Sequence, residues 1–374
     1  MRQGKLTMGP MSILIKPASG SCNMRCTYCF YADEMANREI PCYNMMTEET
    51  IEIVLRKVLA NSQHLCNIMF QGGEPTLVGI SFYEKVIKYV KKYNVNKCKI
   101  SYGLQTNGYN LDTKWAKFFS KNNFLVGISL DGYEELHNIY RVDAKGKGTY
   151  KEVMRTIDLF NKYRVEYNVL TVVHEETTKH TSQIYDFFKS NNFGFQQYIE
   201  CLDPIGKKGE VEYSLSAASY GEFLKELFDK WHDDLLKGRY TYIRYFENLL
   251  LIMLKRPPES CNMVGQCSKQ WVIEADGSVY VCDFYVLDEW KIGNLKDDSI
   301  LEIEAKRDEL DFINRSKYIP DECKSCNWYG LCRNGCMRHC GEGDNRSVNY
   351  YCEAYKMFFE HAYPRLYQIA NMFR

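Results

Sequence analysis

The 374-residue sequence has no surplus of either charge, since 48 lysines and arginines stand against 48 aspartates and glutamates. Without a basic excess there is little to neutralise phosphates or hold an anionic membrane, so nucleic acid and lipid surface are set aside as partners. A neutral or peptide-like substrate fits better. Long apolar runs are missing as well. The longest, Leu249 to Leu254, falls far short of the about 20 residues that cross a bilayer. Met1 to Lys16 lacks the basic end, apolar stretch and small-residue cleavage site of a secretory signal, so a cytoplasmic location is expected. Histidine is scarce, at seven, and none has metal-like spacing; His174 and His180 are expected to be structural. Internal repeats and low-complexity linkers are absent. The 45% hydrophobic and 26% charged composition excludes disorder as the main state and leaves ample core for one large domain, or a large one with a smaller.

Cysteine is what the chain has in quantity. Sixteen in 374 residues is below the roughly 8–10% of a disulfide scaffold, yet high for a chain kept in a reducing compartment. Those thiols need another task.

From Ser12 to about Leu202, short β-branched or aromatic runs alternate with segments of helical period. Strands are predicted at Ser12-Lys16, Asn67-Gln71, Cys98-Gln105, Phe124-Leu130, Val165-Val173 and Gly194-Cys201. Helical patterns at Glu48-Ala60, Ser81-Lys92, Asp112-Ser120, Thr149-Lys162 and His180-Ser190 lie between them, which makes βαβ units and a parallel sheet, open or barrel-like. Function in such folds sits at the carboxyl ends of the strands. Here those ends carry Cys22-x3-Cys26-x2-Cys29, Gln71-Gly72-Gly73-Glu74-Pro75, Gln105-Thr106-Asn107-Gly108 and Asp131-Gly132. A helical stretch from Ala217 to Leu254 follows, broken at Pro257-Pro258. Nine cysteines then crowd Cys261 to Cys352, with strand alternation only at Gln270-Glu274 and Ser278-Cys282. That composition predicts a small domain organised by ligand bonds. Tyr355 to Arg374 reads as a closing helical region interrupted at Pro364.

Three thiolates on one short loop suit a metal cluster and cannot all pair as disulfides; a zinc site borrowing a fourth ligand is the alternative. Three ligands on a four-iron cluster leave one iron open. Placed after a first strand and followed by Phe30-Tyr31, the loop strongly resembles the cysteine signature of radical S-adenosylmethionine (AdoMet) enzymes. The resemblance implies a partial (β/α)6 TIM-like barrel over residues 1–240. It also implies AdoMet chelated to the open iron of Cys22, Cys26 and Cys29, and its reductive cleavage to a 5′-deoxyadenosyl radical. Gln71 to Pro75 then looks like the family's GGEP segment. By the same resemblance Ser129 and Arg141 contact the ribose and carboxylate side of the cofactor, with Tyr28, Gly73 and Leu202 lining it.

The later cysteines run Cys261, Cys267, x9-Gly277-x4 to Cys282, then Cys323-x2-Cys326-x5-Cys332-x3-Cys336-x15-Cys352. A zinc ribbon wants two CxxC knuckles about 12 to 20 residues apart, and these spacings are shorter. They resemble the SPASM extension of peptide-modifying radical AdoMet enzymes, here residues 241–374. That implies two auxiliary 4Fe-4S clusters, for three clusters in all: Cys261, Cys267, Cys282 and Cys336 on one, and Cys323, Cys326, Cys332 and Cys352 on the other. Cys340, four residues past Cys336, is the rival for its place. Cys42, Cys66, Cys98 and Cys201 match no motif and are expected as buried free thiols.

Val281-Cys282-Asp283-Phe284-Tyr285-Val286-Leu287, Asn349-Tyr350-Tyr351-Cys352 and Tyr363-Pro364-Arg365-Leu366 are similar to anaerobic sulfatase-maturating enzymes, which oxidise a cysteine or serine of a sulfatase to Cα-formylglycine. That chemistry needs a base at the substrate carbon, and Asp283, beside ligand Cys282, is the expected one, with Tyr31 and Gln71, each adjoining a motif on the same rim, as expected contacts to the peptide. The resemblance further implies an unfolded or nascent sulfatase peptide as substrate, a reducing partner such as a flavodoxin or ferredoxin, a monomer, and an oxygen-free setting. The alternative is another peptide maturase on the same scaffold, forming thioether crosslinks or epimerising residues. A non-catalytic iron-sulfur carrier would have no need of an open iron.

Overall fold

The computed structural model describes residues 8–341 and 346–373. The first seven residues of the segment tested for a secretory signal, and the closing Arg374, lie outside them. Two compact units divide the chain. The first comprises Met1–Ser129, Tyr140–Tyr167 and Lys269–Leu310; the second comprises Leu130–Ile139, Asn168–Ser268 and Asp311–Arg374.

In the first unit, strands β1 (Met11–Ile15), β2 (Leu65–Phe70), β3 (Lys99–Thr106) and β4 (Phe124–Ser129) run parallel in that order. Side chains alternate along β1, β2 and β4, and every second one is buried, as Ile13, Ile15, Ile68, Phe70, Val126 and Ile128 show. The helix Glu48–Asn61 starts where Thr47 Oγ1 accepts from Thr50 N at 3.1 Å and buries Ile51, Val54, Leu55 and Val58, one stripe of helical period. On the far side of β1 stands β8 (Trp271–Ile273), also parallel to it, followed by antiparallel β9 (Ser278–Tyr280) and β10 (Lys291–Asn294).

Register decides what these strands present. Ile15 is abreast of Phe70 on β2 and of Ile273 on β8. The next residue on each, Lys16, Gln71 and Glu274, therefore emerges at one level on the carboxyl side.

The second unit holds β5 (Glu166–Val173), of which Asn168 onward belongs to it, β6 (Phe195–Glu200) and β7 (Tyr242–Ile243), mutually parallel. The helical stretch expected from Ala217 to Leu254 is two helices, Ala217–Leu236 and Arg244–Met253. Gly238, at φ 70°, ends the first, and β7 closes the β-branched and aromatic run Tyr240 to Ile243. The closing helix is a second correction. It runs unbroken from Cys352 to Asn371 through Pro364. Proline removes one hydrogen bond of the ladder, but Phe358, Phe359, Ala362, Leu366, Ile369 and Ala370 bury one face along its whole length. At about 1.5–3 kcal/mol for each large side chain buried, that face outweighs the roughly 3 kcal/mol cost of an internal proline. The face packs with Phe228, Trp231 and Phe246 in the core of the second unit.

Candidate active site

The cysteine loop begins just past β1, where the chain turns away from the sheet. Backbone pairing straps it to a distant segment: Arg25 N donates to Val142 O at 2.8 Å and Thr27 N to Tyr140 O at 3.1 Å. This pairing brings Arg141, 6% exposed, beside the loop, where its Nη1 donates to Tyr28 Oη at 3.1 Å. Ser129 is half-buried at the end of β4. Leu202 lies in the second unit.

Burial pushes the Cys22 thiol up to about 12, and Cys26 and Cys29 add to the rise by mutual repulsion. Cys29 is raised by burial too, against the pull of Arg141 and Lys16. Cys22 and Cys29, so raised, give up their protons to a strongly cationic partner, which is the donor chemistry of an iron cluster. Met24 N and Asn107 Nδ2 face Cys22 Sγ at 3.4 and 3.7 Å, as donors toward a sulfur that carries charge.

The GGEP segment is built to lie against this loop. Gly73 has φ 43°, and a Cβ there would run into the Ser21 carbonyl; Gly72, at φ 89°, would strike the Lys16 side chain. Glu74 N donates to Ser21 O at 2.8 Å. The Glu74 carboxylate is fully buried and accepts from Thr76 N at 3.1 Å, Thr76 Oγ1 at 2.6 Å, Thr106 Oγ1 at 2.9 Å and Asn107 N at 2.8 Å, tying the end of β2 to that of β3. Burial outweighs those bonds and raises its pKa.

Asp283 lies beyond β9 and turns back to the carboxyl ends of β1 and β2. Lys16 Nζ stands 2.6 Å from its Oδ1 and Gln71 Nε2 donates to its Oδ2 at 2.8 Å, so both oxygens are held. Lys16 is itself wholly buried and rests 3.7 Å over the Tyr31 ring. Tyr31 Oη donates to Glu274, which also takes the Arg38 guanidinium at 3.0 Å. Phe30, next to Cys29, meets Phe284, next to Asp283, at 5.0 Å between ring centres. The carboxylate and the cysteine loop are thus neighbours within one unit, and Tyr31, Gln71, Cys282 and Asp283 gather there.

Lys16, Arg38 and Glu274 were absent from the sequence-derived site. A lysine directly after Ile13-Leu14-Ile15 and a glutamate directly after Trp271-Val272-Ile273 were the available signals, because a charge that ends an apolar strand points into the rim.

In the second unit, Cys323, Cys326, Cys332 and Cys352 line one cavity of about 190 Å³. Cys336 is raised by burial, with Cys261, Cys267 and Cys340 near enough to repel it. The thiols therefore fall into two groups, and the one formed by Cys323, Cys326, Cys332 and Cys352 surrounds space of the kind a cluster of several irons requires. Among the described residues no three His, Cys, Asp or Glu side chains converge for a single ion. Cys282 lies in the first unit. Cys340 Sγ is buried, and Arg346 Nε donates to it at 3.3 Å. Of the unassigned cysteines, Cys66, Cys98 and Cys201 are buried as expected, whereas Cys42 is half-buried, 3.7 Å from Ser21 Oγ. His174 caps a short helix, its Nδ1 accepting from Thr177 N at 3.2 Å.

The chain matches the model of the radical SAM superfamily over residues 17–188 and that of the SPASM iron-sulfur cluster-binding domain over residues 261–327. It is 46% identical to the cysteine-type anaerobic sulfatase-maturating enzyme of Clostridium perfringens over 97% of this chain and 99% of that one. To the serine-type anaerobic sulfatase-maturating enzyme of Bacteroides thetaiotaomicron it is 31% identical, over 95% and 90%. Its backbone superposes with a TM-score of 0.93 on native anSMEcpe bound to AdoMet and the Kp18Cys peptide, at 46% identity over 97% and 99% of the chains. The α/β fold with its parallel sheet and C-terminal SPASM domain is shared along the full length. With identity of this level across nearly every residue, the chain belongs to the anaerobic sulfatase-maturating enzymes, a family of radical SAM proteins that carry a SPASM domain.

Proposed function

We propose that this enzyme oxidises a cysteine of a sulfatase peptide to Cα-formylglycine, with AdoMet as oxidant and three 4Fe-4S clusters. The carrying observation is the Asp283 carboxylate, held at both oxygens by Lys16 and Gln71 beside the cysteine loop. Residues 1–240 supply the AdoMet-binding part, with Cys22, Cys26 and Cys29 on the cluster and Tyr28, Gly73, Ser129, Arg141 and Leu202 toward AdoMet. Residues 241–374 supply the auxiliary ligands: Cys261, Cys267, Cys282 and Cys336 in one set, and Cys323, Cys326, Cys332 and Cys352 in the other.

When bound, AdoMet and the clusters furnish a radical that takes one hydrogen from the substrate Cβ and an acceptor for the electron that must follow. The chain's own part is proton chemistry and orientation. Asp283 takes the proton from the substrate sulfur as the carbon–sulfur double bond forms. Water then replaces sulfur, releasing sulfide and leaving the aldehyde. Lys16 and Gln71 fix the direction of the carboxylate, so the base meets the sulfur without a search. Tyr31, set by Lys16, Arg38 and Glu274, and Gln71 form the wall against which the peptide rests. An arginine suits the AdoMet carboxylate because its planar fork donates two parallel bonds, and Tyr28 holds Arg141 ready for it.

Cysteine is the favoured substrate because identity to the cysteine-type relative is 46% and to the serine-type 31%. The peptide is unfolded or nascent, the electron donor is a flavodoxin or ferredoxin, and the enzyme works as a cytoplasmic monomer. Among the described residues no helix is long and apolar enough to cross a membrane. Asp283→Asn tests the assignment: aldehyde formation on a cysteine peptide is lost while reductive AdoMet cleavage continues, and full aldehyde formation by the variant would remove Asp283 from the mechanism.

A further inference from the structure

Arg346 lies in the stretch between Cys336 and Cys352 and is only 5% exposed. Its guanidinium donates to Ser316 O at 2.9 Å, Asn334 O at 2.7 Å, Gly335 O, and Cys340 Sγ at 3.3 Å. Among the described residues no carboxylate comes within ion-pair distance of it, unlike the buried Arg307, which has Glu304 at 3.0 Å. A buried cation bonded only to neutral acceptors is costly unless an anion is supplied.

The acceptors lie beside two of the inferred cluster ligands. Gly335 precedes Cys336 directly, and Ser316 Oγ accepts from Cys267 N at 2.8 Å. The guanidinium therefore grips the backbone that presents Cys336 directly and, through Ser316, the backbone that presents Cys267.

We propose that Arg346 is the buried countercharge of the first auxiliary cluster, a positioning residue whose fixed cation raises that cluster's reduction potential. The proposal rests on the ligand set inferred above. On accepting one electron the cluster gains a negative charge, and a nearby cation stabilises that reduced form over the oxidised one. At an effective dielectric constant of about 20, a unit charge about 10 Å away shifts such an equilibrium roughly tenfold. For a one-electron couple this is about 59 mV.

The test is an EPR-monitored redox titration of the holoenzyme with iron analysis, in wild type, Arg346→Gln and Arg346→Lys. The signal that responds to AdoMet is assigned to the N-terminal cluster and set aside. Arg346→Gln is expected to hold wild-type iron with an auxiliary potential lowered by about a tenfold equilibrium shift, while Arg346→Lys stays near wild type. If Arg346→Gln loses auxiliary iron, Arg346→Lys with full iron and the wild-type potential still supports the countercharge. Full iron in Arg346→Gln at an unchanged potential overturns the proposal. So does loss of iron, or a lowered potential, in both variants, since that makes the residue a clamp of shape rather than of charge. Wild-type protein with iron for a single cluster would instead overturn the ligand assignment itself.

Discussion

Lys16→Met removes one member of the buried pair with Asp283 while keeping an unbranched apolar chain over Tyr31. Lys16 is wholly buried and the Asp283 side chain is 14% exposed, so the pair sits at the edge of the buried regime. Breaking a fully buried pair costs about 3–5 kcal/mol, and the partial exposure of Asp283 reduces this to about 2–3 kcal/mol. Spent on the base's orientation, that is roughly a hundredfold in the rate of aldehyde formation. Gln71 still holds Oδ2, so the loss stays below the full effect of Asp283→Asn. The assay is a double-mutant cycle on aldehyde formation, with AdoMet cleavage measured alongside. Because Lys16 acts through Asp283, the double variant is expected to match Asp283→Asn alone. Losses that simply add would refute the reasoning, because Lys16 would then serve the reaction by another route.

Two further outcomes follow from the same geometry. Burial raises the Glu274 carboxyl to about 7, so its proton favours the fold, and the contribution present at low pH is lost as pH rises from about 4.5 to about 7. Glu274→Gln should accordingly gain on wild type in thermal midpoint on going from about pH 5 to about pH 8, and a gap that stays constant contradicts the burial argument. Gly73→Ala places a methyl against the Ser21 carbonyl and strains a positive φ, so it should lose the AdoMet-binding cluster while auxiliary iron remains; a variant with full iron and normal AdoMet cleavage would show that the close approach is dispensable.

Much of the site was legible because short motifs sit directly after strands, and strand ends are where α/β folds place chemistry. Cys22 to Cys29, Gln71 to Pro75 and Asp283 could be read that way. Lys16 and Glu274 offered only a charge at the end of an apolar strand and could not be placed together, since only the register of β1 between β2 and β8 sets residues 16, 71 and 274 abreast. Nor could Arg38 be placed, whose role exists only through the Glu274 carboxylate. Arg141 looks like a surface residue until the pairing of Arg25 with Val142 draws it inward. The two-residue β7 and the helix through Pro364 escaped because tertiary packing, rather than local preference, decides them.

The most direct measurement takes anaerobically reconstituted enzyme, AdoMet, dithionite and a sulfatase-motif peptide bearing cysteine, and follows the peptide by mass spectrometry with a hydrazine trap. A trappable aldehyde that appears with wild type and disappears with Asp283→Asn, while AdoMet cleavage continues in both, is the predicted result. AdoMet cleavage by wild type without any aldehyde, or a crosslinked or epimerised peptide in its place, would contradict the assignment.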